Sequence, residues 1–238
     1  MSMIKYLGIF FAVVCLMSSG VRAQSGSLDE NFVIEPPTLD EVNDQLTTLT
    51  EALQTVVSKK IPAALLKKAK AISVAKVKKG GFLVALEGGQ GMLMIRNGMQ
   101  WSNPACIKVS SASFGWQAGI EAKTVVLVFT DTSKEEIVEK LEGAMKFEAG
   151  LGLSVGPLAA DVGTNNVFGK KIYTYSDGMG LFAGLSLEGS SLAFDSLCSE
   201  GLYGTKVTTD DVLSNNVQPQ RGASAGVANL KNVLDKSL

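Results

Sequence analysis

Histidine is absent from the 238 residues. That removes the commonest general base and the commonest zinc ligand. Cysteine is scarce. Cys15, Cys106 and Cys198 form no CxxC pair and no Cys/His cluster, so neither a zinc motif nor a redox motif can be assembled. The glycine-rich run Gly88-Gly89-Gln90-Gly91 lacks the spacing of a dinucleotide or P-loop fingerprint and does not open a helix, which sets nucleotide binding aside. The formal net charge of −1 nominates no partner by bulk charge. No repeat of solenoid period is visible. What is present is enough hydrophobic residue, 46%, to build one proper core.

The first 23 residues read as a secretory leader. Lys5 supplies the positive start, residues 7–17 an apolar stretch broken by Gly8, and Val21-Arg22-Ala23 a small-residue exit. The apolar stretch is short for a membrane span. Two other uses of this segment stay open: an uncleaved anchor, and a lipoprotein acylated at Cys15. Export would leave Cys106 and Cys198 either as a disulfide or as two buried thiols. Residues 24–37, ending in Pro36-Pro37, read as a flexible linker, and 38–238 as one domain.

That domain reads as α+β. Thr38 and Glu41 form a capping box for a helix reaching about Ser58, with Leu39, Val42, Leu46, Leu49, Leu53 and Val56 on one face. A short helix over 62–70 and a strand over 72–77 follow, and Gly80-Gly81 closes that strand. Strands are expected at 82–87 and 92–96 around the glycine run taken as a turn, with a further turn at Asn97-Gly98. Strand-like segments cover 105–109, 113–122 and 125–129, the last apolar at every position and so covered on both faces. Thr132 and Glu135 suggest a second capping box, for a helix presenting Ile137, Leu141, Ala144 and Met145. Residues 172–176 and 181–187 read as a hairpin through Asp177-Gly178. Thr208 and Asp211 cap a short helix, and 223–236 form a terminal one. Many short, glycine-punctuated strands make a curved antiparallel sheet approaching a barrel, covered by helices from both ends and the middle of the chain.

The charge distribution is the strongest functional signal. Residues 59–79 hold Lys59, Lys60, Lys67, Lys68, Lys70, Lys76, Lys78 and Lys79 and no acid. Without the leader, which carries Lys5 and Arg22, the chain has formal charge −3. Setting those eight lysines aside leaves −11 for the rest. Such clusters attract anionic headgroups at about 1 kcal/mol per basic residue near a charged surface. Nucleic acid would feel the same field. The bland alternative is a solvated face that keeps an apolar segment soluble. The candidate acids are Glu87, Glu121, Glu188 and Asp195. Paired carboxylates can hydrolyse glycosides without histidine, but nothing places two of these in one cleft and no nucleophile–base set can be assembled.

One resemblance unites these pieces. The run YSDGMGLFAGLSLEG at 175–189, then Asp195 and Tyr203-Gly204, resembles the C-terminal half of the SYLF domain. Ile61-Pro62 with Leu65-Leu66, Ala69-Lys70-Ala71-Ile72, Trp101-Ser102-Asn103-Pro104, GWQAGIEA at 115–122, VVLVFTD at 125–131 and Gly156-Pro157 fall in the family's order. Leu158-Ala159-Ala160 departs from the family's pattern after the Gly-Pro. The resemblance implies lipid binding, notably of phosphoinositides, and in some eukaryotic relatives actin binding beside a Src-homology-3 domain. The resulting expectation is a secreted, non-catalytic protein without cofactor, metal or nucleic acid. It binds an anionic phospholipid surface through the eight lysines and associates peripherally with the membrane. An actin-binding or other protein-interaction module and an unrecognised hydrolase are the rivals.

Overall fold

The computed structural model describes residues 35–82, 84–114, 119–147, 153–155, 172–176 and 189–237. Helix α1, Leu39–Lys59, starts where Thr38 turns its hydroxyl to the Glu41 N–H and the Glu41 carboxylate accepts from the Thr38 N–H at 2.8 Å. Val42, Leu46, Leu49, Leu53 and Val56 form its buried stripe. Pro62, with its fixed φ, opens the short α2, Ala63–Lys68. Five strands follow: β1 Ala71–Phe82, β2 Val84–Asn97, β3 Gln100–Trp101, β4 Ala105–Phe114 and β5 Gly119–Phe129. Then come α3 Lys134–Glu142, β6 Met145–Lys146, β7 Leu153–Val155, β8 Ile172–Ser176 and β9 Ser190–Phe194. The described chain closes with α4 Ser196–Tyr203, α5 Thr209–Leu213 and α6 Ser224–Asp235.

The strands form one sheet in the order β6-β9-β4-β2-β1-β5-β8-β7, with β3 paired to β2. It is a strongly curved half-barrel, antiparallel except for β7 beside β8. The curvature has a local cause. A Cβ on Gly89 would lie 2.4 Å from the Lys76 carbonyl oxygen, and one on Gly91 2.2 Å from that of Val74. Strand β1 therefore leans over β2 on the face that carries these two glycines, and only a residue without a side chain permits that approach. The same face holds buried Ala71, Ser73, Ala75, Val77, Leu93, Ile107, Leu127 and Phe129.

The opposite, convex face carries Ile72, Val74, Met92, Met94, Cys106, Val126 and Val128, all fully buried. Helices α1, α4 and α6 form the layer on this side, with α1 packed on both other helices. Glycine again makes the fit: a Cβ on Gly201 of α4 would lie 2.5 Å from the Pro37 oxygen, and one on Gly226 of α6 3.0 Å from Leu46. Cys106 of β4 and Cys198 of α4 form a disulfide, Cα–Cα 5.8 Å, that ties this layer to the sheet. Of the two states open for these cysteines, the paired one is found.

Several expected boundaries move. The glycine run 88–91 is not a turn, because β2 is continuous from Val84 to Asn97 and pairs along all of β1. Gly80-Gly81 does not end β1, which continues to Phe82. The strand expected at 113–122 is divided between the end of β4 and the start of β5. Helix α3 is capped by Ser133, whose hydroxyl accepts from the Glu136 N–H at 3.1 Å, and not by Thr132. That helix stops before Ala144, which sits at φ 60, and Met145 joins β6. Helix α4 was not expected at all. The Asp177-Gly178 turn and the strand expected at 181–187 lie outside the described residues. So does the Gly156-Pro157 segment.

Candidate functional site

The eight lysines divide into two groups. Lys67 and Lys68 are exposed on the last turn of α2, and exposed Lys70 leads into β1 with its N–H bonded to the Phe129 carbonyl. Lys76 and Lys78, also exposed, lie further along β1. At about 3.3 Å per strand residue, Lys70 and Lys76 are roughly 20 Å apart. Lys59 is exposed at the end of α1. Lys60 donates its Nζ to the Ser176 carbonyl at 2.6 Å, and Ser176 pairs with Val125, which pairs with Ala75. The end of α1 thus lies at the Lys76 level of the sheet. In the register Lys79 pairs with Glu87 of β2 and with Glu121 of β5.

Lys76 and Lys78 share the convex face with Ile72 and Val74 because alternate strand residues point the same way. The helical layer covers the Ile72 and Val74 rows, and exposure begins one row further on, at Lys76. Directly paired residues share a face, so the register assembles what lies beside these lysines. One row reads Thr124, Lys76, Gln90, Lys108 and Ala193 across β5, β1, β2, β4 and β9. The next reads Ala122, Lys78, Gly88, Ser110 and Ser191. Lys108 is exposed, and the Ser110 and Ser191 hydroxyls meet at 2.8 Å. Sequence reading missed Lys108, because it stands far along the chain from 59–79. Only the pairing of β4 with β2 brings it in.

Lys76, Lys78 and Lys108 hold no ion pair among the described residues. Asp195, the acid beside them, is otherwise engaged. One oxygen accepts from the Cys198 N–H at 3.1 Å as the N-cap of α4, and the other accepts from Gln90 at 3.5 Å. Of the four candidate acids, Asp195 therefore has a capping task, Glu87 and Glu121 stand opposite Lys79 in the strand register, and Glu188 lies outside the described residues.

A cavity of about 320 Å³ lies elsewhere, between the end of α3, Met145 to Phe147, and Ile172 of β8. It separates the β6 margin of the sheet from β8, near the other margin, and its described lining offers no hydroxyl or thiol. Burial raises the phenols of Tyr175 and Tyr203 above their ordinary range, so neither serves as a base near neutral pH. Tyr203 instead donates to the Pro104 carbonyl at 2.9 Å. Among the described residues no group of acids and cysteines could hold a metal ion, and no helix is long and apolar enough to cross a membrane.

Residues 110–237 match a family model described as "Ysc84: Las17-binding protein actin regulator". The human protein named SH3 domain-containing YSC84-like protein 1 is 33% identical over 157 residues, 64% of this chain and 45% of that protein. Protein YSC84 of Saccharomyces cerevisiae is 31% identical over 167 residues, 66% of this chain and 35% of that protein. LAS seventeen-binding protein 3 of the same species is 29% identical over 166 residues, 67% and 36% of the two chains. The match spans less than half the length of each of these relatives. No solved structure matches.

Proposed function

Because this chain belongs to the Ysc84 family, built around the SYLF domain, we propose that it is a non-catalytic binding protein that docks on anionic phospholipid surfaces. The observation that carries this reading is the pair Lys76 and Lys78, exposed on the convex face without an acidic partner among the described residues. Near a charged bilayer each lysine contributes about 1 kcal/mol, so a few of them give weak binding, and apolar contact must add to it.

The chain works outside the cytosol. The order of charges and apolar residues in 1–23 favours export, and a disulfide between Cys106 and Cys198 persists in an oxidising compartment. N-terminal sequencing of the exported protein is expected to begin at Gln24; a start at Met1 or Ser2 would refute cleavage.

Vesicle flotation tests the main reading. The exported protein should float with phosphatidylcholine vesicles containing phosphatidylinositol phosphates and not with phosphatidylcholine alone. Binding should fall steeply from 0.1 M to 1 M salt, as the Debye length shrinks from about 10 Å to about 3 Å. Equal flotation with both vesicles, or none at low salt, overturns it. A second reading follows from the family description, which names Las17 binding and actin regulation. On that reading the chain sediments with filamentous actin and ignores vesicles.

A further inference from the structure

Resting on the membrane-docking reading, we infer that Lys108 of β4 completes, with Lys76 and Lys78 of β1, one headgroup-binding trough on the convex face of the sheet. The trough, and not the lysine-rich segment 59–79 as a whole, is the contact site for bilayer phosphate groups.

The geometry rests on two adjacent rows of the sheet. Strands lie about 4.8 Å apart. Lys76 and Lys108 are two strands apart, with Gln90 between them, so their Cα atoms are separated by roughly 10 Å. Lys78 stands one row further along β1, with Gly88 beside it and Ser110 beyond. Gly88 contributes no side chain, so the floor between Lys78 and Ser110 stays open. Three flexible amines, a carboxamide and a hydroxyl pair rim a strip wide enough for one phosphorylated headgroup. Lysine is a mobile point charge, and three of them along the two sides of a shallow floor suit a ligand presented on a plane.

Three features separate this patch from the other lysines. All three amines are exposed and lack an ion pair among the described residues. Asp195, the acid beside them, is held by the α4 cap and by Gln90 and makes no ion pair with them among the described residues. Lys59 apart, the remaining lysines are elsewhere or occupied. Lys67, Lys68 and Lys70 lie at the far end of β1, Lys60 is bonded to Ser176, and Lys79 is paired in the register with two glutamates.

The test compares two triple variants with equal charge change, Lys76→Gln/Lys78→Gln/Lys108→Gln and Lys67→Gln/Lys68→Gln/Lys70→Gln, with the single Lys108→Gln. The probe is a phosphatidylcholine vesicle containing phosphatidylinositol 4-phosphate at low salt, and circular dichroism checks the fold. The trough variant should bind about 100-fold more weakly, Lys108→Gln alone about fivefold, and the α2 variant within twofold of the parent. A tenfold excess of inorganic phosphate should leave vesicle binding intact, since the site takes its phosphates from a bilayer. If the parent binds and the two triple variants weaken equally, or Lys108→Gln has no effect, the trough is overturned while membrane docking stands. Displacement by inorganic phosphate overturns the bilayer as its source. If the parent fails to bind, both ideas fall.

Discussion

Reducing the Cys106–Cys198 bridge is expected to lower the stability of the folded chain by about 4–5 kcal/mol. The bridge closes a loop of 92 residues, and the chain-entropy relation gives about 4.6 kcal/mol for a loop of that length at 25 °C. For a chain of this size that is a drop in melting temperature of roughly 9–18 °C. The native structure adds to the effect, because both cysteines are buried and the bridge is the covalent tie between α4 and β4. The measurement is a thermal melt with and without reductant, beside the double variant Cys106→Ala/Cys198→Ala. The oxidised protein should also resist thiol reagents until it unfolds. An unchanged melting temperature after complete reduction would show that the bridge constrains nothing the rest of the fold does not.

Replacing Gly91 with valine should cost about 3 kcal/mol or more. The first added carbon would stand 2.2 Å from the Val74 oxygen and 2.7 Å from the Ala75 Cα, both backbone atoms with no rotamer to escape into. Overpacking against movable side chains costs typically 1–3 kcal/mol, and a clash with a paired strand belongs at or above the top of that range. Gly98 is the control. It adopts φ +65 in the β2–β3 turn, but nothing lies within 4 Å of its position. Gly98→Ala pays only for the left-handed backbone, about 1 kcal/mol. Urea titration of both variants separates the cases, and similar midpoints would mean that the bend is soft.

The elements that could be read from the sequence are those whose cause is local. Thr38 and Glu41 cap α1, and Thr208 and Asp211 cap α5, because each box closes within four residues. The all-apolar run at 125–129 is buried throughout, as expected of a strand covered on both faces. The errors arise where the cause is distant. A turn and a tightly creased strand both select glycine, so Gly89 and Gly91 could not be told from hairpin residues until β1 was seen leaning over them. Thr132 and Ser133 are both good caps, and only the path of the chain selects Ser133. Asp195 looked like a candidate acid; three residues ahead of Cys198 it is an N-cap, a signal that was present and unused. The candidate site divides in the same way. A one-dimensional run of lysines was visible, but the strand carries Lys76 and Lys78 well away from Lys67, Lys68 and Lys70, and only pairing through β2 adds Lys108.

The seating of α1 against α6 has a consequence for the order in which the molecule can assemble. Leu39 and Leu46 of α1 fill the hollows above Gly222 and Gly226, from the opposite end of the described chain. A nascent chain that has made α1 and the β1–β2 pair can seat the helix on those strands but still lacks the C-terminal helix that packs beside it. Contacts between such distant segments form late, because the loop entropy must be overcome first. The α1–α6 contact therefore closes only after most of the chain has been made. The Leu39 and Leu46 side of α1 thus stays open until the last helix arrives, and the outer helical layer is the last part of the fold to be completed.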